Sequence, residues 1–355
     1  SQLDPAHEYY RNNGKKTDFN IYAKGNYDIW RGLSAYVDLQ FRHINYKIKG
    51  DNDKWDWTAS PEHLQVLDIN ENFDFFNPKA GLNYRIDKNQ RVYASFAVAQ
   101  KEPTRNNYTD GLFLEHPRAE KLYDWELGYE FNSERFHAGA NFYYMSYKDQ
   151  LVLNGKLNEI GEAMAENVPD SYRMGVELTA GVKITNWLRW DVNATLSENK
   201  IKNYVGYVSD YDDNWNELWS QSAVECGKTT IAFSPSFIGN SNIAFNFKGF
   251  EASLQSQYVS RQYLDNFQNK EDSLDPYFVN NLHLAYTFKL PHIRSITAGV
   301  SIYNIFNEKY ENNGYSMTSA IYKDGDKKNP MQLVSDPRFY PMAGTNVLAY
   351  LTLRF

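Results

Sequence analysis

Cysteine is all but missing. Cys226 is the only one in 355 residues, which excludes an intramolecular disulfide and a cysteine metal cluster. Long apolar runs are missing too. No stretch approaches the ~20 consecutive apolar residues of a membrane-crossing helix, and the mean hydropathy is −0.66. The opening Ser1-Gln-Leu-Asp4 has neither a basic start nor an apolar run, so no secretory leader is readable. That fits a processed or truncated chain as well as a cytosolic one. Positive charge is in short supply: 37 Lys and Arg stand against 44 Asp and Glu, for a net charge of −7. Nucleic acid wants a basic face and is excluded as a partner. There is no Gly-rich phosphate loop and no metalloprotease helix. No nucleophile is spaced with a supporting histidine and third group. The chain does not read as an enzyme, and no cofactor is expected.

Aromatic residues are abundant, with 28 Tyr, 21 Phe and 8 Trp, or 16%. Tyrosine in such excess suits surfaces that are apolar on one side and wet on the other. The dominant pattern is alternation, because a strand points successive side chains to opposite faces. In the last ten residues Val347, Ala349, Leu351 and Leu353 oppose Leu348, Tyr350, Thr352 and Arg354. In 122–131, Tyr123, Trp125, Leu127, Tyr129 and Phe131 oppose Asp124, Glu126, Gly128 and Glu130. Segments 171–183 and 188–197 alternate in the same way. So, with lapses, do stretches near 17–30, 33–47, 79–86, 91–100, 135–147, 236–247, 250–263, 278–290, 295–306 and 346–355. Most reach about ten residues, the length of a tilted membrane strand.

Connections alternate in length. Short turns fall at 30–33, 87–90, 132–135, 185–186, 247–250 and 291–294. Long polar loops are expected near 48–73, 101–120, 148–168, 201–230, 264–276 and 307–342. Short turns on one side and long loops on the other describe an outer-membrane barrel. Charged residues recur on the polar faces, which a wet or plugged lumen accepts while lipid takes the apolar faces. The expected fold is therefore an all-β, transmembrane antiparallel β-barrel. It forms one partial barrel domain over 1–355, with 1–16 as the tail of an extracellular loop and 346–355 as the closing strand. About 13 strands are counted, an odd number where single-chain barrels use an even one. A soluble antiparallel sheet with one wet face is the plainer alternative.

Several stretches resemble the C-terminal part of TonB-dependent outer-membrane receptors of the Bacteroidetes type. They are Lys101-Glu-Pro-Thr-Arg105, Glu120-Lys-Leu-Tyr-Asp-Trp-Glu-Leu-Gly-Tyr129, Asn167-Val-Pro-Asp-Ser-Tyr-Arg-Met-Gly-Val-Glu177, Tyr303-Asn-Ile-Phe-Asn-Glu-Lys-Tyr-Glu-Asn-Asn-Gly-Tyr315, Tyr340-Pro-Met-Ala-Gly344 and the terminal Phe355. Thr345 stands where family members often have Arg. The resemblance implies a 22-stranded barrel around a plug that lies outside this chain. It also implies location in the bacterial outer membrane, and energy-dependent uptake of a scarce nutrient such as a siderophore, haem, cobalamin or an oligosaccharide. The implied partners are outer-membrane lipid, the upstream plug and barrel portion, the TonB–ExbB–ExbD system acting through that plug, and a possible surface lipoprotein. The alternatives are a passive porin or structural barrel, and a soluble carbohydrate-binding sheet protein.

Candidate residues follow. Aromatics among Asn and Asp in the long loops suit stacking on flat or sugar-like ligands: Trp55, Trp57, Tyr207, Tyr211, Trp215 and Trp219. Arg105 and His116 lie in the loop of the Lys101–Arg105 motif. Neutral imidazole is a good iron ligand, and in haem-uptake receptors a histidine in that loop is a proposed iron ligand. The acidic cluster Asp210, Asp212, Asp213 and Glu217 is a weak candidate for a hard cation. Lys79, Arg85, Asp124, Glu126, Glu130, Arg173, Glu177, Arg189 and Asp191 are expected to line the lumen and meet the plug. Phe355 resembles the assembly signal of such barrels.

Overall fold

The structure, a computed structural model, describes residues 8–56, 59–109, 116–157, 162–289 and 294–355. Strands dominate. They are β1 (Arg11–Trp30), β2 (Leu33–Asp56), β3 (His63–Arg85), β4 (Gln90–Lys101), β5 (Glu120–Asn132), β6 (Phe136–Leu157), β7 (Ala163–Lys183), β8 (Leu188–Asp212) and β9 (Glu217–Thr230). Next come β10 (Phe237–Phe247), β11 (Phe250–Val259), β12 (Gln262–Tyr263), β13 (Ser273–Leu274), β14 (Tyr277–Phe288), β15 (Ser295–Tyr303), β16 (Glu311–Tyr322), β17 (Gln332–Pro341) and β18 (Asn346–Arg354). One short helix, α1 (Arg105–Thr109), follows β4. No helix among the described residues is long and apolar enough to cross a membrane.

Thirteen strands run in one unbroken row: β1 to β8 in order, then β10, β11, β14, β15 and β18. Every neighbour in the row is antiparallel. With an odd number of strands, β1 and β18 point the same way, so they are unable to close on each other in the antiparallel sense. β1 and β18 are the two open edges of the row.

The register puts like on like. One lateral row reads Tyr27, Ala35, Leu82, Ala94, Leu127, Phe142, Val176, Leu196 and Phe237 across nine strands. A second reads Trp190, Ile243, Leu254, Leu282, Ile302 and Val347. A one-residue slip at any strand would turn its apolar set into the polar face. The outward apolar band is thus fixed by twelve consistent registers among thirteen strands.

The strands outrun the membrane. Four of the long loops expected from sequence are corrected: 48–73, 148–168, 201–230 and 307–342 are largely strand. β2, β3, β6, β7 and β8 continue well past the ~10 residues that cross a bilayer, and β9 and the β16–β17 hairpin were not anticipated. β1 begins at Arg11, inside the segment expected to be loop tail. Above the membrane, β8 pairs with β9 on one side and in parallel with β16 on the other, giving a four-strand sheet β9-β8-β16-β17.

These extensions escaped the sequence reading because their polarity inverts. On β2 the outward residues Val37, Leu39 and Phe41 give way to His43, Asn45, Lys47 and Lys49. The inward residues Asp38, Gln40 and Arg42 give way to the buried Ile44 and Ile48. In lipid the apolar side must face out; in water it must face in. On β8 a bulge between Ile201 and Tyr204 keeps Tyr204 and Val208 inward with Ile201. On β6, Gln150 and its partner Val168 are buried, where strict alternation would turn them out with Lys148 and Asp170. Asp149 between them has φ 51.

Candidate functional site

The inner wall within the membrane divides into two halves. On β3 to β8 it is charged. Lys79, Asp124 and Arg173 lie on one lateral row, with Ala97 and Met145 between them. Glu126, Glu130, Glu177, Arg189, Asp191 and Arg85 share that face, opposite the apolar rows. Arg91 grips Glu130 with two contacts, 2.5 Å from Nη2 to Oε1 and 3.1 Å from Nε to Oε2. Arg173 Nη1 donates to Ser234 Oγ at 3.0 Å and to Asn199 Oδ1 at 3.3 Å. Arg189 and Asp191 pair at 2.7 Å, and His137 Nε2 lies 3.7 Å from Asp191. Bidentate contacts between exposed groups fix orientation more than they add stability.

On β10, β11 and β14 the same face is mostly uncharged amide and hydroxyl. Gln257 donates to Asn240 at 3.0 Å, and Asn240 donates to Asn193 at 2.9 Å, a chain of amides across three strands. A concavity of about 440 Å³ opens here, lined by Asn240, Asn242, Gln255, Gln257 and Asn281, with His137 and Asp191 at its border. A second, of about 320 Å³, lies on the charged half beside Glu126, Arg173 and Glu177.

At the extracellular end two loops fold inward onto the wall. The loop after β4 is held by Glu102, which is nearly buried. Glu102 pairs with Lys16 and, at 3.2 Å, with Arg42; Arg42 in turn holds Asp18 at 2.5 Å. Tyr108 of α1 then packs on the inward residues Ile48, Leu67 and Ile69. The loop between β11 and β14 is the keystone of the other side. Its Leu264, Asp265, Asn266, Asp272 and Leu274 are all buried. Phe267 packs on both apolar clusters of the rim, Val152–Val168–Ile201–Tyr204–Ile231 and Val208–Ala320–Tyr322. Asn266 donates to Leu153 O and accepts from Ala232 N, and Asp272 accepts from Ser316 at 2.9 Å.

The stretches that resemble a family signature act as clasps at loop bases. Asn167 donates to Arg118 O and Asp149 O and accepts from Arg118 N. Asn304 donates to Glu308 O and Ala343 O and accepts from Glu308 N. Thr345 Oγ1 donates to Asn304 O at 2.6 Å. The β16–β17 excursion is thereby cinched at its base, so β15 and β18 pair directly. Sequence reasoning missed Lys16, Asp18 and Arg42. Arg42 was visible only as one charge among several polar-face residues, and its partner Glu102 lies 60 residues away.

The remaining candidates scatter. Arg105 contacts the Asn12 side chain. His116 is exposed, 3.4 Å from Glu71 and edge-on to Tyr108. Trp215 and Trp219 are exposed, Trp219 at 86%, and both have positive φ. Tyr211 packs against Trp215 at 5.8 Å, Tyr207 points outward and Trp55 is exposed. Trp57 lies outside the described residues. The acidic residues do not converge on one point. Asp210 is buried against Lys327 and Ser220, Asp212 caps its own turn through Asn214 and Asn216, and no group of three or more such ligands gathers among the described residues.

A family model described as TonB dependent receptor-like, beta-barrel, matches residues 1–305. No curated protein matches the chain. Among solved structures, the ferric-catecholate import receptor Fiu of E. coli K12 is 15% identical, with a TM-score of 0.66, covering 97% of this chain and 45% of its own. The ferric yersiniabactin uptake receptor FyuA of Yersinia pestis is 18% identical (TM-score 0.61; 99% and 48%). The siderophore receptor PiuA of Acinetobacter baumannii is 12% identical (TM-score 0.70; 96% and 44%). These likenesses are of fold. The chain spans about half the length of the structures it matches.

Proposed function

Because the chain belongs to the TonB-dependent receptor-like β-barrel family, we propose that it is the C-terminal wall of an energy-coupled importer. The family's members are outer-membrane transporters, not enzymes. The observation that carries the proposal is the inner wall: charged rows on β3 to β8, and loops folded inward over it. A passive pore needs water along its wall. Ordered ion pairs and inward loops suit a wall that grips a mobile plug and a captured ligand.

In this reading, strands outside this sequence close the row between β18 and β1. A plug fills the lumen and docks on the rows of Lys79, Arg85, Asp124, Glu126, Glu130, Arg173, Glu177, Arg189 and Asp191. The TonB system draws on proton-motive force to move that plug. Cargo is a scarce nutrient gathered at the rim, where Trp55, Arg105, His116, Tyr211, Trp215 and Trp219 are the candidates for contact. Metal chelates come first for testing, because the structural neighbours above are receptors for ferric chelates and siderophores. The test is uptake by cells carrying the full-length receptor, using a panel of radiolabelled ferric chelates, haem, cobalamin and an oligosaccharide. Saturable uptake that a protonophore abolishes is the expected result. Uptake that is linear in concentration and indifferent to the protonophore would replace this reading with a passive barrel.

A further inference from the structure

The uncharged half of the inner wall is built in rungs. Every second residue of β10, β11, β14 and β15 faces the lumen, so rungs follow one another about 7 Å apart along the strands. The first polar rung is the amide chain Gln257–Asn240–Asn193. The next aligns Asn281, Gln255 and Asn242 across three strands. Asn242 Oδ1 is buried there with no hydrogen-bond partner among the described residues, and Asn242 lines the concavity of about 440 Å³. Further toward the short turns, His283 lies 3.0 Å from Ser301 Oγ and stacks on Tyr350. Thr287 then meets Thr297 at 2.9 Å. Among the described residues of these four strands, the lumen face carries one fixed charge, Glu251 beside the turn after β10.

We propose that this arc is the lane along which cargo crosses the membrane, the plug staying docked on the charged half while its contacts with β10, β11, β14 and β15 open. The inference rests on the importer reading above, since it needs a plug. The two halves of the wall differ in how firmly they hold a partner. Bonds to ionised groups are about twice as strong as bonds between neutral ones, so the charged rows of β3 to β8 release a docked surface last. A lane has the opposite requirement. Each station must bind well enough to admit a solute and weakly enough to pass it on. Asn and Gln meet this requirement, because each amide both donates and accepts and carries no charge to desolvate. The unpaired Asn242 Oδ1 offers an acceptor at the second rung. Successive rungs hand a solute down the wall without a charge to trap it. The matching cargo presents uncharged hydroxyl or amide groups on its outer surface.

The experiment labels single cysteines in the full-length receptor, held in lipid bilayers without cargo, with every native cysteine, Cys226 included, replaced by serine. Neutral N-ethylmaleimide is the probe. Asn240→Cys and Gln255→Cys report on the arc. Ala97→Cys and Met145→Cys report on the charged half and leave its ionised groups in place. Folding is verified by heat-dependent migration on gels. One additional charge-assisted contact slows exposure about tenfold, so labelling at 240 and 255 is expected to run that much faster than at 97 and 145. Equal rates, or faster labelling on the charged half, overturn the proposal. Asn240→Trp/Gln255→Trp then narrows the lane in cells given the radiolabelled panel above. Surface binding is expected to survive and protonophore-sensitive uptake to fall to background, whereas Ser241→Trp, on the lipid side of β10, should change neither. Undiminished uptake through the narrowed arc would overturn the lane while the importer reading stood. Linear uptake by the wild type, indifferent to the protonophore, would instead remove the importer reading and the lane with it.

Discussion

Gly128 faces inward on β5 with the ring of Tyr93 laid over it. An added Cβ would lie 2.1 Å from Tyr93 Cζ, far inside contact distance. Gly128→Ala therefore forces the ring aside, an overpacking cost of about 1–3 kcal/mol. The expected result is a lower melting temperature, partly restored in Gly128→Ala/Tyr93→Ala, because the two sites share one contact. Additive losses would contradict the contact. Asp265 carries the second residue-scale prediction. Burial, and then the neighbouring Asp272, push its carboxyl from 3.8 to about 7. An acid with a raised folded pKa binds more protons folded than unfolded, so its burial costs stability as pH rises from about 4 to 7. Amides of the loop between β11 and β14 should exchange faster at pH 8 than at pH 5, after correction for intrinsic rates. Asp265→Asn should remove that difference; a difference that persists would place its cause elsewhere.

At the scale of elements, the alternation on β5, on the second half of β7 and on the first half of β8 was fully legible, because lipid outside and charge inside make opposite demands on successive residues. The extensions were not. Ile44 and Ile48 break the phase set by Leu39 and Phe41, so the sequence pattern ends the strand near 47 and 48–73 reads as loop rather than as a strand whose solvent has changed. The clasps were legible as motifs but not as contacts, since Glu102 and Arg42, or Asn304 and Ala343, meet only in three dimensions. Each clasp predicts local loosening. Glu102→Gln removes the charge that Lys16 and Arg42 share, worth about 2 kcal/mol. Protease cleavage within the loop after β4 should speed up while the global melt barely moves. Asn304 has φ 50, a conformation that asparagine tolerates better than alanine. Asn304→Ala should speed hydrogen exchange at the base of the β16–β17 hairpin. Asn304→Gly, free of backbone strain, should lose only the hydrogen-bonded share. Of the candidate site, the inward residues of the wall could be listed from parity alone. Which of them pair, and that Lys327 occupies the acidic loop, could not.

At the scale of the whole molecule, twelve registers agree on one outward apolar band. Phe355 is 89% exposed and immediately follows β18, an open edge. Phe355→Ala is expected to lower the yield of membrane-inserted receptor without altering ligand preference; a normal yield would remove Phe355 from assembly. The central claim is that a single strand reverses its polarity where it leaves the membrane. Spin labels placed one at a time along β2 from Ala35 to Lys49, in the full-length receptor in lipid bilayers, test it directly. Oxygen should reach labels at 35, 37, 39 and 41 best, as in lipid. Labels at 43, 45, 47 and 49 should be reached by a water-soluble nickel complex, while those at 46 and 48, which pack with Tyr108, and at the buried position 44 are shielded from both. Oxygen access that continues through 43–49 on the same face, or no alternation at all, would contradict the account.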